Sequence, residues 1–323
     1  VKSLQIGRYP EVTILDLPIP VPGPGQIVMR VAAVTTCPQW DLHLRHDEPM
    51  FVGHKFQYPY PPGQPGHEAT GVVTAVGEGV KDLTVGQRVS AWRDAGHQVA
   101  GCYAEYVLLN VDNAIPVPAE LPYEATASVE LAMCVGASFL MLIEMGVISG
   151  RRIGVTGLGP AGLIAAQMAR AEGAAEVVGI DTSEVRCEYA LRSGVVTEAH
   201  TTTSPAGVSL PARPAKPTFD SGIDCVGAKS SVEWLMDHVR DTVALFGVQR
   251  EAYSYEPRHY HPPLRLCGYP GHSRQAAEYA VRLIAEKRLD LSLLVTHTMP
   301  LEQYNEGIDL LEKQEAIKIC FIP

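Results

Sequence analysis

The chain has 323 residues, 46% hydrophobic and 19% charged, with a formal net charge of −10. That length suggests two domains with ample core, and the acidic balance argues against a nucleic-acid or anionic-membrane partner. Seven cysteines, an odd number scattered along the chain, do not read as a disulfide framework, so a reducing cytoplasm is expected, with the thiols free or metal-bound.

Residues 1–118 read as β-rich. Runs of Val, Ile and Thr at 12–17, 26–35, 69–76, 88–91 and 104–109 are separated by PIPVPGPG, YPYPPGQPG and VGEG, as short strands between Pro/Gly turns should be. No alternation of strands and helices appears here, and a compact, partly open barrel is expected. Residues 119–148 read as helical, with Pro122 in the first part. The apolar stretch 128–148 comes nearest to a membrane span but carries Glu130 and Glu144. The opening VKSLQIGRYPEV lacks the long apolar core of a secretory signal.

The pattern then changes. An apolar β-branched run at 153–156 is followed by Gly157, Gly159 and Gly162 at G-x-G-x-x-G spacing. A helix pattern at 163–172 ends at Gly173, and a second apolar run at 176–180 stops at Asp181, 24 residues after Gly157. A strand, a Gly-rich turn, a helix and an acid at roughly 20 residues form the context expected of a dinucleotide fingerprint. Gly157 would allow the turn, Gly159 the approach of a pyrophosphate, and Gly162 close packing of helix on strand. Leu158, Pro160 and Ala161 complete the loop, and the helix start would face the phosphates. Asp181 would accept hydrogen bonds from the adenosine ribose and repel a 2′-phosphate, which favours NAD over NADP. Arg186 nearby either lies along the ribose or faces solvent. The bland alternative is a βα turn that uses Gly for sterics alone.

Further on, 183–193 and 230–239 read as helices, and 223–226 and 242–248 as strands. Val226 and Gly247, at the ends of those two strands, join the expected cofactor-binding set. Between them, 201–217 holds Pro205, Pro211, Pro214 and Pro217, which a helix interior cannot accommodate. No helix of three turns is expected there, while the following strand should still be parallel and in the sheet. The C-terminal part reads as helix 274–287, strand 293–298, helix 301–313 and strand 316–322.

A second signal is Cys37 together with Gly66, His67 and Glu68. Cysteine and histidine are zinc ligands, and a neighbouring carboxylate can join them. Taken alone, Cys37 could equally be a core thiol and His67 a hydrogen-bonded turn histidine.

With its flanks included, the chain resembles the medium-chain dehydrogenase/reductase superfamily of the zinc alcohol dehydrogenase kind. PGPGQIVMRVAAVTTCPQWDLH is similar to that family's strand leading to the first zinc cysteine. PGQPGHEATGVVTAVGEGVKDLTVGQRV is similar to its zinc-histidine signature. GCYAEYVLL, GLGPAG with Asp181, FDSGIDCVGA and LVTHTMPLEQYNEGIDLLEKQEAIKI resemble its later elements. The resemblance implies an α/β protein: a GroES-like β-barrel catalytic domain (1–135 and 270–323) and an inserted Rossmann domain with a doubly wound parallel sheet (136–269). It implies an active site in the cleft between the two, and a homodimer or homotetramer for which 252–261 is the candidate contact.

The same resemblance makes Cys37 and His67 zinc ligands, Glu68 an adjacent alternative ligand and Cys134 the third ligand, with Glu130 as its competitor. Asp41 would orient His67, and His43 would be a proton exit. The pattern also departs from the family's. Residues 37–43 read CPQWDLH, one residue longer than usual, and Gln39 stands where the family places a proton-passing hydroxyl. Trp40, Trp92 and 255–261 would line the cleft. Residues 90–101 contain no cysteine, so the four-cysteine structural zinc lobe of many members is absent and one catalytic zinc per chain is expected. The implied reaction is hydride transfer between a small alcohol or carbonyl and NAD(H), with zinc as Lewis acid on the substrate oxygen. Two alternatives are a zinc-free NADPH-dependent quinone or enoyl reductase of the same superfamily, and a non-catalytic NAD(H)-sensing protein.

Overall fold

The computed structural model describes residues 1–51, 53–94, 96–202 and 216–323. Among these the chain divides into two compact units, Val1–Leu131 with Asp290–Pro323, and Ala132–Leu289. The first unit begins with β1 (Lys2–Ile6), β2 (Val12–Asp16), β3 (Gln26–Thr35), α1 (Pro38–His46), β4 (Glu68–Val76), β5 (Arg88–Ala91), β6 (Tyr106–Asn110), β7 (Ala114–Pro116) and α2 (Glu124–Ala127). Helix α3 (Val129–Glu144) leads into the second unit, which contains β8 (Arg152–Thr156), α4 (Pro160–Ala171), β9 (Glu176–Asp181), α5 (Glu184–Arg192) and β10 (Glu198–Thr201). It continues through β11 (Phe219–Asp224), α6 (Lys229–His238), β12 (Val239–Leu245), β13 (Arg265–Gly268) and α7 (Arg274–Ala285). The chain then returns to the first unit as β14 (Val295–Pro300), α8 (Tyr304–Glu312) and β15 (Lys318–Ile322).

Strand β3 is the spine of the first unit. Its apolar sequence QIVMRVAAVT is buried at most positions, and it pairs antiparallel with β4, β6 and β15. The sheet order is β14-β15-β3-β4-β5-β7, with β6 also on β3, and β1 and β2 form a separate antiparallel pair. Both ends of β3 therefore meet strands remote in sequence. Its C-terminal end delivers Cys37 beside the start of β4, which carries Glu68.

Helix α1 is absent from the β-rich sequence reading. Cys37 occupies its N-cap position and Pro38 its first turn, where a fixed φ and a missing N–H cost nothing. Asp41 and Leu44 are its buried residues. The 119–148 helix is in fact two. Helix α2 starts only after Pro122, and Ser128, with φ −89° and ψ 31°, separates it from α3.

Among its described residues the second unit holds six parallel strands in the order β10-β9-β8-β11-β12-β13. Numbered within the unit this is 3-2-1-4-5-6, the doubly wound arrangement whose ligands sit at the C-terminal strand ends. Strand β11 is parallel to β8, as expected of the segment after the proline-rich connection; that connection lies mostly outside the described residues. The edge strands β10 (EAHT) and β13 (RLCG) are short and lack an apolar run, so they carry no periodic signal. At the N-terminal strand ends, charges alternate. Arg152 pairs with Glu176 and Glu198, Arg240 with Asp220, and Arg151 and Arg265 with Asp241. That end is occupied by its own ion pairs.

The unit boundaries differ from the 136–269 expectation. Helix α7 belongs to the second unit, and the chain leaves it at Leu289. The reason is packing: a Cβ on Gly136 would lie 3.1 Å from the Tyr279 ring, and the Tyr279 hydroxyl donates to Glu172 at 3.1 Å.

Candidate metal and nucleotide sites

In the first unit, donor atoms of Cys37, His67 and Glu68 all lie within 4.8 Å of one another. Cys37 is half-buried, and His67 and Glu68 are buried. His67 Nδ1–H donates to the Pro65 carbonyl at 2.7 Å. That bond fixes the tautomer and turns the Nε2 lone pair towards the cluster. Glu130 Oε2 lies 3.8 Å from His67 Nε2. Burial alone would depress the His67 pKa, but Cys37, Glu130 and Glu68 outweigh it and hold the imidazole well above its ordinary value. The field at this point favours a positive charge.

Glu68 is held from one side only. Its Oε2 accepts from Lys318 Nζ at 2.5 Å and from Thr35 Oγ1 at 3.4 Å, and Lys318 Nζ also donates to the Thr36 carbonyl at 2.6 Å. Lys318 and Glu68 are 0% and 1% exposed. Glu68 Oε1, equally buried, has no hydrogen-bond partner. An unsatisfied buried acceptor costs roughly 1–3 kcal/mol, and more when charged. A cation among these donors offsets that cost. Thiolate sulfur, imidazole nitrogen and carboxylate oxygen form the donor set that suits zinc. Lys318 went unnoticed in the sequence reading. Its signal was a single lysine inside the strand KICFI.

Several expected site residues take other roles. Cys134 is outside this donor set. It lies in the second unit, where a His272 nitrogen is within 4.8 Å of its Sγ. Glu130 stands one turn earlier on α3, and it is the residue that reaches His67. Asp41 does not orient His67, whose Nδ1 is bonded to Pro65. The extra residue in the segment carries Asp41 inward instead, to the hydroxyls of Tyr304 at 2.8 Å and Tyr103 at 3.0 Å. Burial raises its pKa to about 6 against the pull of those bonds. His43 is tied on both ring nitrogens, Nε2 to the Gln39 side-chain amide at 3.0 Å and Nδ1 to the Glu48 carbonyl at 3.2 Å. Trp92 is buried, with its Nε1–H on the Asp112 carbonyl at 2.6 Å. The Tyr255 hydroxyl donates to the carbonyls of His259 and Leu264, closing its own loop.

Where a structural zinc lobe would stand, a short loop is pinned by Gln64, whose Nε2 donates to the Gly96 and Val99 carbonyls at 3.1 Å each. Cys102 at its end is buried, and burial pushes its thiol up to about 12, which disfavours a thiolate ligand.

In the second unit the glycine fingerprint lies at the C-terminal end of β8. Gly157 has φ +83°, and a Cβ on Gly162 would fall 1.7 Å from the Gly157 carbonyl oxygen, so α4 can rest against the turn only with glycine there. Gly159 is the N-cap of α4, and no atom lies within 4 Å of where its Cβ would be. Pro160 occupies the first turn of α4, and its N-terminal N–H groups face that open space. Asp181, 7% exposed, ends β9. Its carboxylate accepts from Leu158 N–H at 2.7 Å and Ser183 N–H at 2.8 Å. Arg186 Nη1 lies 4.0 Å from it. Val226 Cγ2 is 2.7 Å from the Cβ position of Gly157, and Gly247 sits against the backbone of Gly227, so the ends of β11 and β12 close on the same turn. The arrangement fits the adenosine and pyrophosphate of a dinucleotide.

Comparison with known proteins agrees. Residues 23–119 match the family model described as alcohol dehydrogenase GroES-like domain. The chain is 26% identical to the L-threonine 3-dehydrogenase of Stenotrophomonas maltophilia (strain K279a) over 333 residues, 94% of each chain. The 2R,3R-butanediol dehydrogenase structure from Bacillus subtilis superposes with a TM-score of 0.82 at 21% identity, covering 100% of this chain and 99% of the other. A putative zinc-binding dehydrogenase from Sinorhizobium meliloti 1021 bound to NADP (TM-score 0.77, 21% identity) and the rspB alcohol dehydrogenase from E. coli CFT073 with NADH (0.81, 20%) also match, each covering 100% of this chain and 99% of the other. Residues 23–119 carry an alcohol dehydrogenase GroES-like domain, and with likeness running through nearly the whole length the chain is a zinc-type alcohol dehydrogenase-like oxidoreductase, similar to the medium-chain dehydrogenases/reductases.

Proposed function

We propose that this protein interconverts a small secondary alcohol and its ketone, with one zinc ion per chain and NAD(H). The observation that carries this reading is the convergence of Cys37, His67 and Glu68 around an unpartnered carboxylate oxygen. Cys37, His67 and Glu130 are assigned as the zinc ligands, with Glu68 as the adjacent carboxylate. Zinc, when bound, supplies Lewis acidity towards a substrate oxygen. The chain's own residues set up that chemistry. The Pro65 carbonyl orients His67, and Lys318 and Thr35 hold one oxygen of Glu68 so that the other faces the donors. Gly157–Gly162 and Asp181 bind and orient the nucleotide.

The reaction class draws on relatives. Threonine and butanediol, named for the two proteins above, share a secondary carbinol beside a second polar group. A vicinal diol or amino alcohol is therefore assigned as the substrate class. The buried Asp181 carboxylate opposes a 2′-phosphate, so NAD is assigned over NADP, although Arg186 softens that field. A homodimer or homotetramer is assigned with 252–261 as the contact, in a reducing cytoplasm that keeps the cysteines out of disulfides.

Elemental analysis and a panel of diols and amino alcohols with NAD test the reading. One zinc per chain and alcohol-dependent NADH formation are expected. A zinc-free protein with full activity would overturn it, and so would tight NADH binding with no turnover of any alcohol.

A further inference from the structure

Oxidation of an alcohol releases a proton, and the first unit has no hydroxyl where the family resemblance places one. Gln39 stands there, and a neutral amide does not accept a proton near pH 7. Hydrogen bonding removes most nearby imidazoles as acceptors. The Gln39 amide nitrogen can only donate, so His43 Nε2 accepts and its Nδ1–H goes to Glu48; both nitrogens are engaged. His54 Nδ1 accepts from the Met50 N–H at 3.3 Å, so its proton sits on Nε2. His67 belongs to the metal donors.

His97 differs. Its ring packs on the Trp40 indole with centroids 4.0 Å apart, and Trp40 lies three residues after Cys37. Its loop is bonded through Gly96 and Val99 to Gln64, three residues before His67. The ring is thus bracketed by both ligand-bearing segments. Its Nδ1 is shut off from solvent without a hydrogen-bond partner, and the nearest charge is Asp94 Oδ2 at 3.8 Å. The side chain keeps 28% of its surface exposed, and Nε2 has no partner among the described residues. An acid facing a buried Nδ1 selects the Nδ1–H tautomer and leaves an open lone pair on Nε2. The 3.8 Å separation is of the kind that shortens when substrate binds.

We propose that His97 is the proton acceptor for the substrate hydroxyl, with Asp94 as its positioning residue. The assignment rests on the alcohol-oxidation reading above. NAD, when bound, would take the carbinol hydrogen as hydride. The O–H bond breaks, its electron pair becomes the second C–O bond of the ketone, and the proton passes to His97 Nε2 and then to solvent. Reduction runs the same path backwards.

The groups facing this imidazole are Asp94 from its own loop, His54 from the preceding aromatic segment and His67 from the entry to β4. Burial lowers its pKa against the pull of Asp94, which favours the neutral, proton-accepting form.

Long-range 1H–15N NMR of the protein without substrate should show His97 as the Nδ1–H tautomer, and Asp94→Asn should abolish that preference. In zinc-loaded protein, His97→Asn should lower kcat about 100-fold with KM nearly unchanged, remove the acidic limb of the pH profile and respond to added imidazole. An Nε2–H tautomer, or parental kcat and pH profile in His97→Asn, would overturn the assignment and leave the oxidoreductase reading intact. A parent protein that oxidises no alcohol would overturn both.

Discussion

Lys318 and Glu68 set the stakes at the scale of single residues. A buried ion pair of this kind contributes little net stability when intact, but removing one partner leaves an uncompensated charge. Here one oxygen of Glu68 is paired with Lys318 while the other is buried without a hydrogen-bond partner beside Cys37 and His67. Cys37→Ser or His67→Ala should abolish zinc binding and dehydrogenase activity while dinucleotide affinity stays within about twofold, measured by elemental analysis and calorimetry; the fingerprint lies in the other unit. Glu130→Gln should lower zinc occupancy and Cys134→Ser should not. The reverse result would restore Cys134 as the third ligand. Asp181→Ser should narrow the preference for NAD over NADP by about tenfold, about 1.4 kcal/mol, and equal affinities in the parent would refute the role of that carboxylate. The glycine spacing singled out Asp181 in the sequence, and the family resemblance singled out Cys37, His67 and Glu68. The choice between Glu130 and Cys134 was not legible, because two residues four apart share one helix face and spacing does not say which end of that face reaches the donors.

The element that changes the local chemistry most is α1. One additional residue after Cys37, wound into a helix, takes Asp41 away from His67 and buries it between Tyr103, which precedes β6, and Tyr304 at the start of α8. Burial raises the Asp41 carboxyl from 3.8 to about 6 in the folded chain. Between those values the folded state holds a proton that the unfolded state has lost, so this contribution to stability falls as pH rises from about 4 to about 6 and stays lost above that. Two pKa units correspond to about 3 kcal/mol. Asp41→Asn does not titrate, so its urea midpoint should gain on the parent across that interval; parallel midpoints at pH 4 and 7 would show that Asp41 is not the group involved. A nine-residue helix with a proline in its first turn was hidden in the sequence by its β-rich surroundings, and the edge strands β10 and β13 by their polarity. The long apolar strands and the α4 pattern were plain.

For the whole molecule, the association assigned above predicts sedimentation as a dimer or tetramer at micromolar concentration, and Tyr260→Asp, at an exposed position in 252–261, should shift it towards monomer. A monomeric parent would refute the assignment. The two units were unequally readable, for one physical reason. The nucleotide site is built from a turn, a helix start and a strand end that follow one another in about 25 residues. Glycine conformational freedom and one carboxylate specify it locally, so the sequence alone determined the doubly wound sheet and the fingerprint. It also determined that no cysteine-rich lobe precedes β6. The cluster of residues 37, 67, 68, 130 and 318, proposed above as the metal site, is brought together from distant segments of the chain. Only the tertiary structure decided that Glu130 faces His67, that Lys318 neutralises half of Glu68, that Asp41 serves two tyrosines and that His97 keeps an open nitrogen. Register and helix rotation set which side chains converge, and both are outcomes of packing that no local spacing encodes.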